Sequence, residues 1–257
     1  MSAGAPRLLD GKRAVVSGAG SGIGRATAKV CAREGALVGV LDVDEAGARR
    51  TVEEVQAVGG EALALLADVS DEQQVETAFA DAVQTWGGLD LVVGCAGVQL
   101  AGQDDRADRL SLEIWRKTID INLTGVFLTA KHGIARLLDS GGGAVVLVCS
   151  PTGLFGCAPG YDAYSASKAG VCGLVRVLAA DYAQDNIRVN GVVPGYTKSQ
   201  MTEWVTPQAH EQLLETIPMR RAGRPEEVAE VIAFLASERS AYTTGALWAA
   251  DGGMTAV

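Results

Sequence analysis

The segment Ser17–Gly24, which reads SGAGSGIG, decides the fold because it joins an apolar run to an amphipathic segment. The run Ala14–Ser17 predicts a buried strand, and the pattern over 22–34 predicts a helix. Glycines between a strand and a helix let the backbone approach a pyrophosphate, and the N–H groups that open the helix attract its negative charge. The spacing is GxxxGxG rather than GxGxxG. In this context it predicts a dinucleotide phosphate site, whereas an isolated glycine cluster is usually a simple turn.

Outward from this segment, short apolar runs alternate with longer helical patterns. The runs are mostly rich in Val, Leu and Ala without polar alternation, which is typical of strands covered on both faces. Strands are predicted at Ala14–Ser17, Leu37–Leu41, Ala62–Ala67, Leu89–Gly94, Ala144–Cys149, Arg188–Val193 and Leu247–Ala250. Helices are predicted over 22–34, 44–58, 71–86, 111–138, 163–184 and 225–237. The alternation implies an α/β fold, a Rossmann-type doubly wound parallel sheet of about seven strands with helices on both faces.

Nothing in the sequence divides the chain, because no Pro-rich or Ser-rich linker and no internal repeat interrupts it. We therefore expect a single dinucleotide-binding catalytic domain over 1–257. Two stretches, 98–110 and 196–225, break the alternation after a strand. Ligands bind at the carboxyl ends of strands in open α/β sheets, and long insertions there are often lids. We predict that 196–225, which has a helical middle, is a substrate lid.

The composition excludes several classes of protein. The chain has 257 residues, 48% of them hydrophobic, which is enough for a sizeable core and argues against disorder. Its net charge of −9 argues against nucleic-acid and anionic-membrane partners. No apolar run reaches the length of a membrane span, and the N-terminal stretch lacks a secretory apolar region. These features predict a cytoplasmic protein.

Cysteine and histidine usage gives no sign of disulfides or of a metal. The five cysteines are an odd number without a CxxC pair, which is typical of free thiols in a reducing compartment. Only two histidines are present, His132 and His210, far apart in the sequence. We therefore expect no metal site.

An acidic residue at the end of the second strand bears on the choice of cofactor. Asp42 follows Gly24 by 18 residues, where an acid accepts hydrogen bonds from the adenosine ribose hydroxyls and repels a 2′-phosphate. The neighbouring positions Ser21 and Val43 carry no compensating cation. Asp42 therefore favours NAD over NADP. A helix cap for 44–58 is the alternative role, and the two are compatible.

A tyrosine and a lysine are spaced for acid–base chemistry. In Tyr164-Ser165-Ala166-Ser167-Lys168 the phenol and the ammonium stand four residues apart and share one helix face. A tyrosine ordinarily titrates near pH ~10, and a fixed neighbouring cation lowers that pKa. Alone, YxxxK is a weak motif. Here it opens a helix on the expected ligand side of the sheet, which favours a catalytic pair.

With these motifs in order, the sequence resembles the short-chain dehydrogenase/reductase family from about residue 10 to 253. The matching pieces are SGAGSGIG at 17–24, Asp68-Val69, Cys95-Ala96-Gly97, Asn122 in IDINLTG, Ser150, YSASK at 164–168, Pro194-Gly195 and Asp251-Gly252-Gly253. Their order along the chain is far more specific than any single piece.

The resemblance implies a role for each matching residue. Tyr164 would exchange the proton with the substrate oxygen, Lys168 would hold the nicotinamide ribose, Ser150 would hydrogen-bond the reacting oxygen, and Asn122 would support a water-linked proton relay. The predicted cofactor-binding residues are Gly18, Gly20, Ser21, Gly22, Ile23, Gly24, Asp42, Asp68, Val69, Cys95, Ala96, Gly97, Tyr164, Lys168, Pro194, Gly195 and Thr197. The predicted substrate-pocket residues are Gln99, Thr152, Leu154, Phe155, Cys157, Tyr161, Tyr196, Met201 and Trp204.

The sequence departs from the family pattern at three positions. Ser17 replaces a threonine but keeps a hydroxyl group. Cys95 stands where the family usually has asparagine, which puts a side-chain contact near the adenosine in question. Ser150 lies 14 residues before Tyr164, one more than usual, so Thr152 is the substitute candidate.

The resemblance implies an NAD-dependent alcohol dehydrogenase or ketoreductase that interconverts a secondary alcohol and a ketone by hydride transfer. The mostly apolar pocket set is consistent with a cyclic alcohol, a hydroxylated aromatic precursor or a modest polyol. An NADH-dependent 3-oxoacyl thioester reductase is the alternative, for which Arg220, Arg221 and Arg224 would supply cations. A dinucleotide-binding module without turnover is a further alternative. The family also implies a homotetramer or homodimer, with 111–138 and 163–184 as interfaces.

Overall fold

The computed structural model describes residues 7–256, and its central feature is a parallel sheet of seven strands. The strands are β1 (Arg13–Ser17), β2 (Leu37–Asp42), β3 (Glu61–Leu66), β4 (Leu91–Gly94), β5 (Gly143–Val148), β6 (Ile187–Pro194) and β7 (Leu247–Ala250). Their order across the sheet is β3-β2-β1-β4-β5-β6-β7, with every pair parallel. The order reverses beside β1, and in such sheets a ligand crevice forms at this switch point.

Within residues 7–256, eight α-helices join and cover the strands. They are α1 (Gly22–Arg33), α2 (Glu45–Gln56), α3 (Glu72–Trp86), α4 (Leu112–Ile119), α5 (Gly125–Asp139), α6 (Asp162–Tyr182), α7 (Pro207–Glu215) and α8 (Pro225–Ala236). One core cluster packs α1, α2 and α8 on one face of the sheet, and a second packs α3, α5 and α6 on the other. Within β1, Val16 belongs to the first cluster and Val15 to the second. Because both faces are buried, the strands need apolar residues at consecutive positions.

The predicted fold class is confirmed, and the predicted helix and strand limits differ from the observed ones by one or two residues at most ends. The predicted extent of one domain, 1–257, begins and ends outside the described residues and stays a prediction. Within 7–256, no helix is long and apolar enough to cross a membrane. The same residues contain no cluster of three or more His, Cys, Asp or Glu side chains suited to a metal ion.

The predicted continuous helix over 111–138 is wrong in one detail. A π-helical turn, Asp120–Thr124, separates α4 from α5. Its residue Asn122 is fully buried, and its side chain bonds to the backbone of Val98 rather than to its own helix. These tertiary hydrogen bonds lie at a wider turn that the helical sequence pattern does not reveal.

At the amino ends of β1 and β6, arginine side chains form hydrogen bonds with neighbouring protein groups. Arg13 opens β1 and donates from Nε to Oδ2 of Asp90, which precedes β4, over 2.7 Å. Arg188 in β6 donates to the carbonyl oxygen of Leu235 over 2.8 Å and to that of Ser237 over 3.1 Å. These bonds tie strands and helix ends together at the edge opposite the expected ligand site.

Candidate functional site

A cavity of about 630 Å³ opens at the carboxyl ends of the strands and contains most of the predicted site residues. Its charged lining residues, within the described part of the chain, are Asp42, Asp68 and Lys168. The glycine loop forms one end of the cavity, and the segments after β5 and β6 form the other. The cavity therefore joins the predicted nucleotide region to the predicted substrate region.

The glycine loop has the backbone shape of a phosphate cradle. Gly18 adopts φ +66°, and a Cβ there would lie 2.7 Å from Cα of Ala96, so no larger residue fits. Ser21 precedes the first turn of α1, and in the described structure its side chain makes no capping hydrogen bond. Ser21, Gly22 and Ile23 all line the cavity. The free N–H groups of this helix start are available to an anion.

The carboxylate of Asp42 stands at the end of β2, on the edge of the same cavity. Its Oδ2 accepts a hydrogen bond from the backbone N–H of Gly20 over 2.7 Å, and its Oδ1 accepts from that of Asp44 over 2.9 Å. The second bond supports the start of α2, so the carboxylate takes part in a local turn while it lines the cavity. Its remaining lone pairs are free to accept from ribose hydroxyls.

Ser17 and Cys95, two of the departures from the family pattern, meet at the switch point of the sheet. The hydroxyl of Ser17 accepts from the backbone N–H of Cys95 over 3.2 Å and from that of Ala96 over 3.4 Å. Serine at this position therefore still holds the chain after β4. Burial raises the pKa of the Cys95 thiol to about 12, so the thiol is neutral beside the cavity.

Tyr164 and Lys168 lie on the cavity side of α6, as their spacing predicts. The Lys168 ammonium lies 5.8 Å from the centre of the Tyr164 ring. It donates to the carbonyl oxygen of Val148, at the end of β5, over 2.9 Å. Both side chains are buried and line the cavity. The lysine is thus held in place by the sheet and not only by its helix.

Asn122 lies behind the cavity wall rather than in it. Its Oδ1 accepts from the N–H of Val98 over 2.7 Å, while its Nδ2 donates to the carbonyl of Val98 over 2.9 Å and to Ser167 Oγ over 3.2 Å. A Cβ on Gly97 would lie 3.3 Å from Asn122 Oδ1 and 3.5 Å from Lys168 Nζ. The Asn122 amide and the Lys168 ammonium therefore both lie close to Gly97. The amide is occupied by structural bonds, and the relay role stays a prediction.

Ser150 follows β5 and lines the cavity together with Thr152. The two hydroxyl oxygens lie 3.0 Å apart, with Thr152 donating to Ser150. The Ser150 oxygen also accepts from the backbone N–H of Thr152 over 3.3 Å. With these donors in place, the Ser150 proton is free to point at a substrate oxygen. The two candidates for this role therefore form one hydrogen-bonded pair.

Aromatic residues dominate the substrate end of the cavity. The rings of Tyr161 and Trp204 contact each other at a tilt of 35° with their centroids 6.1 Å apart. Burial raises the pKa of Tyr161, and the charge of Asp104 raises it further. Tyr196 Oη hydrogen-bonds His210 Nδ1 over 2.9 Å and so links the segment after β6 to α7. This end of the cavity suits a compact, largely apolar ligand.

Not every predicted site residue lines the cavity. Phe155 is 53% exposed and Leu154 is 38% exposed, and both lie on the outer side of the loop after β5. Gly20 supports Asp42, and Asn122 lies behind the wall. The remaining predicted residues, catalytic, cofactor-binding and substrate-pocket together, all line the cavity.

Several lining residues were not predicted from the sequence. They include Val43, Ile121, Ser199, Val205, Leu213 and Met254. Leu213 belongs to α7, whose apolar side faces inward, so the helical pattern within 196–225 carried the signal that would have found it. Met254 follows β7 and has no comparable signal, because only the tertiary fold brings the C-terminal segment to the cavity.

The residues present fit a nicotinamide dinucleotide. An uncapped helix start lies behind a glycine turn that leaves no room for a Cβ, which suits a pyrophosphate. Asp42 lies at the end where the adenosine ribose would sit, and Tyr164, Lys168 and Ser150 lie toward the other end. One continuous cavity thus offers contacts for both halves of an extended dinucleotide.

Comparison with known proteins agrees with this geometry. The family model described as Enoyl-(Acyl carrier protein) reductase matches residues 18–255. The chain belongs to the short-chain dehydrogenase/reductase family. The predicted family is therefore confirmed, and the protein is an oxidoreductase of a family that binds a nicotinamide dinucleotide.

Three curated relatives in this family match nearly the whole chain. Cis-4-hydroxycyclohexanecarboxylate dehydrogenase of Sinomonas cyclohexanicum is 42% identical, covering 95% of this chain and 96% of its own. Cyclohexanol dehydrogenase of Acinetobacter sp. strain SE19 is 37% identical over 96% of both chains. The 3-oxoacyl-[acyl-carrier-protein] reductase FabG of Thermotoga maritima is 38% identical, covering 96% of this chain and 98% of its own.

A solved structure shows the fold with a cofactor. The crystal structure of a Beutenbergia cavernae protein described as an NAD(P)-dependent gluconate 5-dehydrogenase, with NADP bound at low occupancy, has a TM-score of 0.92 and 32% identity to this chain. The match covers 98% of this chain and 100% of the Beutenbergia chain.

Proposed function

We propose that this short-chain dehydrogenase/reductase oxidises an uncharged secondary alcohol on a six-membered ring to the ketone, with NAD⁺ as the cofactor. The observation that carries the proposal is one cavity lined by the glycine loop, Asp42, Ser150, Tyr164 and Lys168. The bound dinucleotide supplies the hydride acceptor, and the same site supports the reverse reaction.

The chain's own residues would handle the proton and the geometry. The Ser150 hydroxyl, held by Thr152, would donate to the reacting oxygen and orient it. Tyr164 Oη would accept the hydroxyl proton as the ketone forms and return it in the reverse direction. Lys168 would place its charge beside this proton transfer and hold the nicotinamide ribose.

Electrostatics support NAD rather than NADP. The cavity lining within 7–256 has two carboxylates, Asp42 and Asp68, and one cation, Lys168, which lies at the catalytic end. A 2′-phosphate at the adenosine end would meet the Asp42 carboxylate without a compensating cation from the lining. The guanidinium nearest to the glycine loop, that of Arg25, is bonded to the carbonyl of Gly20 and to Thr51.

Shape and relatives support a ring substrate. The paired rings of Tyr161 and Trp204 offer two apolar faces near the catalytic tyrosine. Two of the relatives described above are named for hydroxylated cyclohexane rings, one neutral and one bearing a carboxylate. A ring of this size would pack against this aromatic pair with its hydroxyl group turned toward Ser150.

The reduction of a 3-oxoacyl thioester by NADH is a second candidate, favoured by the likeness to the acyl-carrier-protein reductase FabG. Two of the three arginines that a phosphorylated arm would use are engaged elsewhere, while Arg224 is largely exposed and lies 3.6 Å from Glu227. Arg221 forms a two-pronged bond with Glu227 at 2.7 Å for each contact, and Arg220 donates to the carbonyl of Glu215. This arrangement favours the ring alcohol.

A substrate panel followed by NADH absorbance separates these functions. It includes cyclohexanol, a hydroxycyclohexanecarboxylate, a linear polyol and, in reverse, a 3-oxoacyl thioester with NADH. We expect the highest kcat/KM with a neutral ring alcohol. Exclusive turnover of the thioester would move the assignment to the second candidate. Dinucleotide binding without turnover of any substrate would identify a non-catalytic module.

We further propose that the protein works as a homotetramer or homodimer in the cytoplasm. Exposed apolar side chains on α4, α5 and α6, among them Trp115, Phe127 and Val177, support the predicted helical interfaces. Light scattering after size exclusion measures the assembly. A strict monomer at micromolar concentration would contradict it, and cell fractionation tests the location.

A further inference from the structure

Helix α6, which carries the proposed catalytic pair, does not cap its own amino end. Tyr161 occupies the N-cap position, and within the described structure its side chain makes no capping bond. The acceptor comes instead from Asp104, in the segment between β4 and α4. Its Oδ1 accepts from the N–H of Ala163 over 3.1 Å, and its Oδ2 accepts from that of Tyr164 over 2.9 Å.

The carboxylate of Asp104 is committed to this contact. Asp104 is only 7% exposed, and a buried carboxylate is costly unless donors satisfy both oxygens. Two backbone N–H groups and the positive end of the α6 dipole meet that need. The cap therefore fixes the distance between the segment after β4 and the first turn of α6.

A second carboxylate makes the contact reciprocal. Asp162, the first residue of α6, accepts from the backbone N–H of Ala107 through Oδ2 over 2.8 Å. Each segment thus offers a carboxylate to the backbone of the other. We call the contacts of Asp104 and Asp162 with these backbone groups the α6 clamp.

The segment between β4 and α4 takes part in the α6 clamp and also lines the cavity. Val98 and Gln99 form part of the wall, and both backbone groups of Val98 are bonded to the Asn122 amide. The segment is therefore held at one end by the π-helical turn and at the other by the backbone of Tyr164. The segment thus connects the cavity wall at Val98 to the first turn of α6.

We propose that Asp104 is a positioning residue, which sets the place of the Tyr164 phenol by capping the helix turn on which that phenol stands. The proposal rests on the function proposed above for Tyr164. Asp104 acts through the N–H of Tyr164 and takes no part in proton transfer itself. Displacing a reacting group by about 1 Å costs on the order of 10²-fold in rate.

Asp104→Ala removes both acceptors. We expect kcat with a ring alcohol to fall about 10- to 100-fold, because the first turn of α6 loses its cap and the phenol its fixed place. The Kd for NADH, measured by fluorescence, should stay within about twofold, because the glycine loop and Asp42 keep their contacts. Asp104→Asn retains one acceptor oxygen and should recover a large part of the lost kcat.

Asp71→Ala is a matched control. Asp71 is the N-cap residue of α3 itself, and its exposed Oδ1 accepts from the N–H groups of Gln73 over 3.0 Å and Gln74 over 3.1 Å. Like Asp104, it is an aspartate that accepts from the second and third residues of a helix. Helix α3, however, carries no proposed catalytic residue. We expect this variant to lower Tm as Asp104→Ala does and to leave kcat within about twofold of wild type.

Amide hydrogen exchange gives a readout that does not need turnover. In Asp104→Ala with NADH bound, a peptide covering 158–168 should exchange about tenfold faster or more than in wild type. The peptide covering 71–77 should change only in Asp71→Ala. If Asp104→Ala does not fold, Asp104→Asn is measured in the same way, with a smaller expected change.

Equal kcat in Asp104→Ala and Asp71→Ala, or unchanged exchange over 158–168, would overturn the positioning role. Failure of the proposed function gives a different pattern. In that case wild-type protein turns over no alcohol, while exchange over 158–168 still reports whether Asp104 holds the helix turn.

Discussion

The two edges of the sheet differ in what their polar side chains do. At the amino ends of the strands, Arg13 pairs with Asp90, and Arg188 donates to carbonyl groups of the C-terminal half. The charge of Arg13 is paired with a carboxylate, and the N–H donors of Arg188 are satisfied by protein oxygens. At the carboxyl ends, Asp42 and Ser150 keep hydrogen-bonding capacity that the protein leaves unused.

The difference separates stability from chemistry within one sheet. An ion pair at the amino edge can be satisfied completely, because nothing needs to bind there. The carboxyl edge leaves helix N–H groups and side-chain oxygens for a ligand, at some cost in stability. Substitutions at the carboxyl edge should therefore change kcat, KM or cofactor preference, whereas substitutions at the amino edge should change the free energy of unfolding.

The largest effect is expected from Tyr164→Phe. It removes the group proposed to accept the alcohol proton while it keeps the ring, and we expect kcat to fall about 10²- to 10⁴-fold. Steady-state NADH formation with the best ring alcohol measures this. The Kd of NADH and the Tm should change little, and wild-type turnover in this variant would remove the catalytic assignment.

Asp42→Ala tests the cofactor end of the same edge. We expect kcat/KM for NAD⁺ to fall and that for NADP⁺ to rise, with a change in their ratio of about 10- to 100-fold. The reason is that ribose acceptors are lost together with repulsion of the 2′-phosphate. Asp44→Ala, at the N-cap of α2, is the control and should leave the ratio of the two kcat/KM values unchanged. A wild-type preference for NADP⁺ would contradict the proposal.

Trp204→Ala tests the ring pocket. Loss of one aromatic face should raise KM for a ring alcohol about tenfold with a small change in kcat, consistent with about 1–3 kcal/mol of lost apolar contact. Phe155→Ala is the matched control because Phe155, although predicted from the sequence, lies outside the cavity. Equal KM changes in the two variants would show that the ring does not bind against Trp204.

Asp90→Asn should affect stability and leave activity nearly unchanged. Burial alone raises the pKa of Asp90, but the hydrogen bonds from Arg13 outweigh it and hold the pKa below its ordinary value. We expect the variant to lose about 1–3 kcal/mol of unfolding free energy at pH 7. Urea unfolding measures this, and a variant with full stability but reduced kcat would contradict the division between the edges.

The pH dependence of that loss has a defined sign. Because the folded-state pKa of Asp90 is lowered, its stabilising contribution is complete above the unfolded value of about 4. It is lost as the pH falls through the folded-state pKa. The difference between wild type and Asp90→Asn should therefore shrink below about pH 4, and a difference that grows there would contradict the ion pair.

The fold and much of the cavity lining could be predicted from the sequence because local patterns encode both. Apolar strands and helical periods place the carboxyl ends of the strands, and motifs that follow a strand must then lie at that edge. The positions of Gly18, Asp42 and Tyr164 follow from this alone. Phe155 was misplaced because a loop has no period from which its inward face can be predicted.

The π-helical turn and Asp104 were missed for a different reason. The stretch DINLT contains neither proline nor glycine, so the local pattern continues a helix where tertiary bonds to Asn122 impose a wider turn. Asp104 lies in a polar segment with no regular structure. The sequence carries no signal for its capping role, because the predicted helix over 163–184 follows Asp162, a capping residue by type, whereas the observed helix begins at Asp162 and leaves Tyr161 at the N-cap.

The strand order also bears on how the protein is made. From β4 to β7 each new strand joins the strand made just before it, so synthesis and sheet growth run in the same direction. The strands of the nucleotide end, β1 to β4, are made before Ser150 and Tyr164, but α1 and α2 share their core with α8, which is made after both. A dinucleotide that binds at the adenosine end therefore stabilises a contact between the first helices of the chain and α8, and so favours folding of the whole chain.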